Sequence, residues 1–286
     1  MIIQYLGTAA AEGAPALFCR CAFCQYARQT GGREIRTRSG ALVDGVLKID
    51  FGPDSYKQEL DNGLDYTDIH SILVTHSHAD HLDVSDVSYR RPGFAHVNED
   101  EPPMTLYGND KVGEKLSGIH SDWIAYRHVT PFQAFEVEGY AVTALEAVHC
   151  ISKETPMQWP VEYHGKTYGR SEEALIYLIE KDGKSILYAH DTDELTLTNM
   201  SFLAGRQLDL VSLDCTNGRL AVDYIGHMGI REDLLMREKL LENGAADEHT
   251  VFVANHFSHN GLLPFGELER RLPGFLVAYD GMSVEV

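Results

Sequence analysis

Three histidines and an aspartate occur within the six residues of HSHADH, directly after the apolar run SILV. On an extended chain, residues two apart project to the same side, so His76 and His78 can face one point. Asp80 and His81 follow after a turn and can face a second point nearby. The segment therefore predicts halves of two adjacent metal sites. The alternative is a polar helix start, with Asp80 as its cap and solvated histidines.

Imidazole and carboxylate side chains together suit zinc, manganese, iron or nickel, so the residues leave the identity of the metal open. Two such ions roughly 3.5 to 4 Å apart can bind a water molecule between them as a nucleophile. The chemistry that this pattern favours is hydrolysis.

A second group of potential ligands lies near the start of the chain, in CRCAFC. It contains Cys19, Cys21 and Cys24. The chain begins without a basic leader, so we expect a reducing, cytoplasmic setting, in which clustered cysteines favour metal binding over disulfides. Redox activity or chance clustering is the alternative. Cys150 and Cys215 lie in apolar strands and are predicted to be small core residues.

Length and composition favour one large domain over residues 1–286, since 286 residues with 44% hydrophobic content can bury a sizeable core. An inserted loop or lid is predicted at about residues 150–173. No apolar run approaches the roughly 20 residues that cross a bilayer. The formal charge of −19 disfavours nucleic acid and favours a small substrate, although it could serve solubility alone.

Alternating strand and helix patterns predict an α/β protein with mixed sheets. Asp44 with Gly45, and Asp182 with Gly183, each separate two apolar strands and predict hairpins. Strand-rich halves fall on either side of roughly residue 165, which favours two sheets packed between helices. Helices are predicted over Pro53 to Asn62, Asp193 to Gly205 and Ile230 to Asn243.

Further potential ligands follow HSHADH in order, each at the end of an apolar strand: EAVHC gives His149, LYAHDT gives Asp191 and FVANHFSH gives His256. With His-x-His-x-Asp-His, this set resembles the metallo-β-lactamase superfamily. The resemblance implies the αββα sandwich of two mixed sheets. It also implies that His76, His78 and His149 hold one metal, that Asp80, His81 and His256 hold the other, and that Asp191 bridges both.

The segment YLGTAAAEGAPALFCRCAFCQYA is similar to the PhnP-type branch, the phosphoribosyl 1,2-cyclic phosphodiesterases. That branch carries Cys-x-Cys-x-x-Cys and a histidine three residues after the last catalytic ligand, which is His259 here. The three cysteines and His259 would complete a tetrahedral structural zinc site without an open position. REIRTRSGALV is also similar to this branch. Its Arg36, Arg38 and Ser39 could help to hold a phosphate or could pair with acids.

His227, in DYIGHM before IREDL, resembles the superfamily's late Gly-His motif. In related phosphodiesterases the matching histidine contacts the phosphate or donates a proton to the leaving alkoxide, and histidine titrates in the range that suits either task. Capping or packing against the following helix is the alternative. We assign catalytic roles to His227, Asp80 and Asp191, and leave His190 unassigned.

These patterns predict a dinuclear hydrolase with two Zn or Mn ions in the active site and one structural zinc. The favoured reaction is cleavage of a small cyclic phosphodiester by a metal-bridging hydroxide. A lactonase or other carbon-ester hydrolase is the first alternative, followed by an RNA-processing nuclease and a noncatalytic zinc-binding protein. The expected partner is the small-molecule substrate, not nucleic acid or a membrane, and a homodimer is left open.

Overall fold

Two mixed β-sheets lie face to face between two layers of helices in the computed structural model, which describes residues 1–152, 158–261 and 263–286. The first sheet is formed by β1 (Ile2–Gly7), β2 (Gly40–Val43), β3 (Leu47–Ile49), β4 (Ser71–Leu73), β5 (Met104–Gly108), β6 (Ile124–His128) and β17 (Met282–Glu285). Its order is β17-β1-β2-β3-β4-β5-β6, antiparallel from β17 to β3 and parallel from β3 to β6.

The second sheet has seven strands and the same mixture of directions. It is formed by β7 (Ala134–Val137), β8 (Tyr140–Glu146), β12 (Leu175–Lys181), β13 (Lys184–Ala189), β14 (Leu210–Asp214), β15 (Val251–Asn255) and β16 (Phe275–Val277). Its order is β16-β15-β14-β13-β12-β8-β7, parallel from β16 to β13 and antiparallel from β13 to β7.

Helices cover the outer faces of both sheets. They are α1 (Ala22–Thr30), α2 (Ser55–Asn62), α3 (Val84–Val87), α4 (Asp110–Leu116), α5 (Leu197–Leu203), α6 (Ile230–Glu242) and α7 (Phe265–Arg271). The predicted helix, sheet, sheet, helix architecture is confirmed. Within the described ranges, no helix combines the length and apolar character that crossing a membrane would require.

Each central strand is buried on both faces. Successive side chains along a strand point to opposite faces, so alternate residues enter different cores. In β12, Leu175, Tyr177 and Ile179 face the first sheet, and Ile176 and Leu178 face the helices. The core between the sheets and the core under α5, α6 and α7 therefore share these strands. A third core packs the outer face of the first sheet against α4.

Both predicted hairpins are confirmed, since β2 pairs with β3 and β12 with β13 across turns whose Asp-Gly residues have positive φ. The strand-rich halves on either side of roughly residue 165 do not correspond to the two sheets. The chain passes to the second sheet between β6 and β7, because β8 pairs with β12 over six residues. The last strand, β17, then returns to the first sheet.

The predicted helices are present, but two begin later than expected. The helix expected from Asp193 begins at Leu197, because Thr196 caps it by accepting a hydrogen bond from the Asn199 amide. Asp193 instead accepts hydrogen bonds from the Tyr163 hydroxyl and the Gly226 amide. The helix expected from Pro53 begins at Ser55.

The segment at residues 150–173 forms a small antiparallel sheet rather than an irregular loop, as far as it is described. Its strands are β9 (Ile151–Ser152), β10 (Val161–Tyr163) and β11 (Lys166–Arg170), in the order β10-β11-β9. Residues 153–157 of this predicted insertion lie outside the described residues. The predicted role as a lid stays a prediction.

A buried acid on α6 predicts a pH-dependent contribution to stability. Asp233 is fully buried, and burial raises the pKa of its carboxyl well above the usual value. A raised pKa in the folded state favours folding below the pKa of the unfolded chain, and this contribution is lost as the pH rises. Asp233→Asn should therefore raise the melting temperature by a few degrees at about pH 8, with a smaller difference at about pH 5.

Thermal melting of the metal-loaded protein across this pH range tests the prediction, with Glu232→Gln as the neighbouring control on the same turn. Equal melting temperatures for the wild type and Asp233→Asn at both pH values would contradict it.

Candidate metal centre

The first four potential ligands lie in the loop that follows β4, and this loop is fixed to the end of β3. The Phe51 amide donates to the His81 carbonyl, and the Asp83 amide donates to the Phe51 carbonyl, at 2.8 and 2.7 Å. A Cβ atom at Gly52 would lie 2.0 Å from the Asp80 carbonyl oxygen, so this close approach requires glycine. Backbone contacts therefore fix the path of the loop.

The first cluster of donor atoms combines this loop with the end of β8. The donor nitrogens of His76, His78 and His149 lie within 4.8 Å of one another, together with the Cys150 sulfur. The His76 ring lies 4.5 Å from the His78 ring and 4.9 Å from the His149 ring, between centroids. The structure thus brings together the three residues predicted to bind one ion.

The second cluster contains Asp80, His81, Asp191 and His256, whose donor atoms also lie within 4.8 Å of one another. His81 Nε2 lies 2.8 Å from Asp191 Oδ2 and 3.2 Å from Asp80 Oδ2. His256 Nε2 lies 3.5 Å from Asp191 Oδ2. These are the residues predicted to bind the other ion.

Asp191 lies between the two clusters. Its Oδ1 is 3.4 Å from His149 Nε2, and its Oδ2 is 3.5 Å from His76 Nε2. Because its oxygens approach both clusters, the carboxylate is in the position that the predicted bridging role requires.

The donor atoms fit divalent metal ions. The Nε2 atoms of His76, His149 and His256 are buried and, within the described chain, have no hydrogen-bond partner; the same holds for Asp191 Oδ1. Leaving several such atoms buried and unpaired is costly, and a bound cation would satisfy all of them together. Neutral imidazole and carboxylate are common ligands of zinc and related ions.

The other nitrogen of several of these histidines is held by a partner outside the clusters. His81 Nδ1 lies 2.7 Å from Asp50 Oδ2, and His149 Nδ1 donates to the Gly226 carbonyl at 3.2 Å. The Thr216 hydroxyl donates to the His256 carbonyl, so its oxygen accepts from His256 Nδ1 at 2.8 Å. A protonated Nδ1 leaves Nε2 free to bind a metal, which is the usual arrangement in metal sites.

Burial and charge set the protonation of the ligands. Burial, with the neighbouring His81, holds the pKa of His76 well below its usual value, and burial lowers the pKa of His149 to about 4. Burial opposes the charge of Asp80, but the hydrogen bond and charge of His81 outweigh it and lower the pKa to about 2. Neutral imidazoles and ionised carboxylates are the forms that bind metals.

Four residues of the centre adopt left-handed backbone conformations just after strands. The φ angles are 60° at Asp50, 55° at Cys150, 57° at Asp191 and 59° at His256. This region is unfavourable for residues with a Cβ, and strained backbone of this kind concentrates at functional sites. Each sharp turn aims a polar side chain across the end of its sheet.

His227 lies at the edge of the second cluster, three residues before α6. Its Nδ1 is 3.1 Å from Asp214 Oδ2 and 3.3 Å from Asp191 Oδ1, and its ring is nearly parallel to that of His256. Burial opposes a charge on His227, but the carboxylates of Asp214 and Asp191 outweigh it and raise its pKa to about 9. The side chain faces the ligand set and does not merely pack against the helix.

Sequence reasoning missed the residues that hold the ligands in place. Asp214 accepts hydrogen bonds from the amides of Asp191 and Thr216, both at 2.9 Å, as well as from His227. Asp50 holds Thr75 and His81. Both aspartates occur where apolar strands end, in LKID and LVSLD: Asp50 directly follows β3 and Asp214 is the last residue of β14, whereas Asp191 lies two residues after β13. That shared position was the available signal.

The prediction for Cys150 is wrong. Its Sγ lies 3.7 Å from His78 Nε2 and 3.6 Å from Glu172 Oε1, so the side chain is only partly buried at the edge of the core and faces the first cluster. The left-handed turn at this residue directs it there. Cys215 is fully buried, as predicted. Glu172 was also missed; its oxygens accept hydrogen bonds from the Ser77 amide.

The residues that were left unassigned have structural partners. Arg36 is buried and donates to the Thr8 hydroxyl and the Ala278 carbonyl, and Arg38 pairs with Asp54. Ser39 Oγ lies 3.2 Å from the Tyr188 hydroxyl. His190 is buried, with its Nε2 2.7 Å from Ser212 Oγ. These contacts account for Arg38, Ser39 and His190 without a phosphate, whereas Arg36 Nε and Nη2 are buried without a hydrogen-bond partner among the described residues.

The cysteines near the N-terminus form a separate cluster with His259. Their sulfurs and the His259 ring lie within 4.8 Å of one another. His259 Nδ1 is 3.4 Å from Cys19 Sγ and 3.6 Å from Cys21 Sγ. Zinc bond lengths of 2.3 Å to sulfur and 2.0 to 2.1 Å to nitrogen place two tetrahedral ligand atoms about 3.6 Å apart. The four residues fit a closed zinc site that ties α1 to the loop after β15.

We expect Cys21→Ala to lower the zinc content by about one ion per chain and the melting temperature by about 10 °C, because a three-ligand site no longer stabilises the fold. Metal analysis and thermal melting test this, with the exposed neighbour substitution Arg20→Ala as the control. Full zinc retention with unchanged melting would refute the site.

Comparisons with known proteins agree with this geometry. The family described as "Beta-lactamase superfamily domain" matches residues 46–276. Coenzyme PQQ synthesis protein B of Methylobacterium radiotolerans is 34% identical, over an alignment that covers all of both chains. A crystal structure of a diphosphatase from the PhnP family is 25% identical, with a TM-score of 0.70, and covers 99% of this chain and 96% of that one. Zn²⁺-bound PqqB from Methylobacterium extorquens is 20% identical, with a TM-score of 0.69 and full coverage of both chains.

Proposed function

The chain belongs to the beta-lactamase superfamily of metal-dependent hydrolases, and we propose that it cleaves a small phosphoric ester, with a cyclic phosphodiester as the favoured substrate. The match spans most of the chain, and the predicted superfamily is confirmed. The narrower PhnP-type assignment is supported by the similarity to a PhnP-family diphosphatase and by the cysteine cluster with His259.

The proposal rests on the position of His227 beside the two clusters of potential metal ligands. Its Nδ1 is held by Asp214 at 3.1 Å, which leaves Nε2 as the nitrogen free to approach a substrate. A histidine placed beside the ligand set can give a proton to a leaving oxygen. A poor leaving group, such as the alkoxide of a sugar phosphodiester, requires such a donor.

Two divalent ions held by the clusters would polarise the phosphoryl oxygens and lower the pKa of an attacking water molecule. Asp191 would keep the two clusters at a fixed separation. Asp50, Gly226 and Thr216 would orient the imidazoles, so that little reorganisation is needed during the reaction.

A cavity of about 280 Å³ beside His227 supports a small substrate. Tyr163, Tyr168 and Tyr224 line it with the positively charged Arg231. Arg231 could pair with a phosphate oxygen. Asp193, Glu194 and Glu232 also line the cavity.

The experiment that tests this proposal reconstitutes the purified protein with zinc or manganese and follows possible substrates by NMR. Ribose 1,2-cyclic phosphate, a simple aryl phosphodiester and a diphosphate ester are followed through phosphorus, and a lactone is followed through its protons. We expect cleavage of at least one phosphodiester and no turnover of the lactone. Turnover of the lactone alone would replace the proposal with a carbon-ester hydrolase.

A second candidate is the function of coenzyme PQQ synthesis protein B, because this relative is 34% identical over the full length of both chains. Genetic complementation discriminates between the two. If the chain restores PQQ formation to a Methylobacterium strain that lacks its own protein B, and cleaves no phosphoric ester, the second candidate replaces the first.

A further inference from the structure

Cys150 directly follows a predicted metal ligand, and its sulfur faces the same point as the three histidines of the first cluster. Its Sγ lies 3.7 Å from His78 Nε2. The sulfur and the donor nitrogens of His76, His78 and His149 all lie within 4.8 Å of one another.

This separation matches two ligands of one zinc ion. Zinc bond lengths predict about 3.6 Å between a coordinating sulfur and a coordinating nitrogen. The cysteine cluster provides an internal standard, since Cys19 and Cys21 lie 3.4 and 3.6 Å from His259 Nδ1. The distance from the Cys150 sulfur to His78 Nε2 is therefore similar to the distances from Cys19 and Cys21 to His259.

A second observation points independently to a ligand at this place. His76 is fully buried, and its Nε2 has no hydrogen-bond partner among the described residues. The backbone at Cys150 is left-handed, with φ of 55°, which is a strained conformation for a residue with a Cβ. That conformation turns the sulfur away from the strand direction and toward the unpaired nitrogens.

Glu172 also contacts the Cys150 thiol. Its Oε1 is 3.6 Å from the Cys150 sulfur, and both its oxygens accept from the Ser77 amide, at 3.1 and 3.0 Å. Because Glu172 is buried and held by the Ser77 amide, it limits the positions that the Cys150 side chain can adopt.

We propose that Cys150, in addition to the bridging Asp191, is a side-chain ligand of the ion that His76, His78 and His149 hold, and that its sulfur makes this half of the centre selective for zinc over manganese. Thiolate ligands favour zinc and other soft ions, whereas manganese prefers oxygen donors. The second cluster contains no sulfur and would accept either ion. The inference rests on the metal centre of the proposed function, but not on the identity of the substrate.

The test is the absorption of cobalt-substituted protein, since a thiolate bound to Co²⁺ gives a charge-transfer band that imidazole and carboxylate do not. In the fully loaded wild type, Cys150 and the three cysteines bound with His259 contribute four thiolates. Cys150→Ser should lower this band by roughly a quarter, because one of four thiolates is lost. Cys215→Ala is the matched control and should leave the band unchanged, because Cys215 belongs to neither cluster.

Zinc and manganese competition, read by metal analysis, gives a second measurement. Cys150→Ser should lower the preference of one site for zinc by roughly 10- to 100-fold. If Cys150→Ser does not fold, X-ray absorption of the zinc-loaded wild type decides the question. Four zinc–sulfur bonds per chain would support the ligand, and three would overturn it.

An unchanged cobalt band in fully loaded Cys150→Ser would also overturn the proposal, and would leave the proposed hydrolase function intact. Conversely, the band could fall by roughly a quarter in Cys150→Ser while the wild type cleaves no phosphoric ester. That result would support Cys150 as a ligand and overturn the proposed function.

Discussion

Replacing Asp191 with asparagine should lower phosphoric ester hydrolysis by about 10³-fold or more. Its two oxygens approach both histidine clusters, so the carboxylate lies between them. Asparagine keeps the shape of the side chain but removes the charge that would hold two cations together. The loss should match or exceed the 10²- to 10³-fold effect of deleting one electrostatic contact in an active site.

The control for Asp191→Asn is Asp182→Asn in the hairpin between β12 and β13. Both aspartates have a left-handed backbone, with φ of 57° and 51°, so the control reproduces any backbone effect of the substitution. Steady-state hydrolysis by both proteins at saturating metal tests the prediction. Activity of Asp191→Asn within about twofold of the control would rule out a bridging role.

His227→Ala should lower turnover by about 10²- to 10⁴-fold while the protein keeps its full metal content. The structure gives the reason: His227 Nδ1 is bound by Asp214, and the side chain lies at the edge of the ligand set. Removing it takes away a proton donor but none of the predicted metal ligands. Substrates with good leaving groups should lose less turnover than those with alkoxide leaving groups.

Turnover and metal content are measured together for His227→Ala, beside His249→Ala as a surface control. His249 is largely exposed, lies seven residues before His256 and belongs to none of the ligand clusters of the described residues. Unchanged turnover would remove the catalytic assignment of His227. Loss of metal with loss of turnover would instead make His227 a ligand, which its distance from Asp191 and His256 would allow.

The ligand set could be predicted from the sequence because each member follows an apolar strand and occurs in a fixed order. His149, Asp191 and His256 are far apart in the chain, but strands that end at the same edge of a sheet bring their following residues together. The hairpin turns could be predicted for a local reason, since Asp-Gly residues readily adopt positive φ.

The surrounding contacts could not be predicted, because they depend on which strand ends meet. Asp214 and Asp50 lie at the ends of apolar strands much as Asp191 does, and no local feature distinguishes a ligand from a support. Cys150 lies in an apolar run, so its sequence context indicates the core, and only the left-handed turn reveals its direction. The assignment of the β7 and β8 hairpin to the second sheet likewise depends on a pairing with β12.

The number of metal ions per chain tests the central claim most directly. Metal analysis of the reconstituted wild type should find three ions: two in the histidine and aspartate clusters and one in the cysteine cluster. Asp191→Asn should lose ions from the histidine and aspartate clusters, whereas Cys21→Ala should lose only the ion of the cysteine cluster. A single ion per chain that survives Asp191→Asn and disappears in Cys21→Ala would contradict the account and leave a noncatalytic zinc-binding protein.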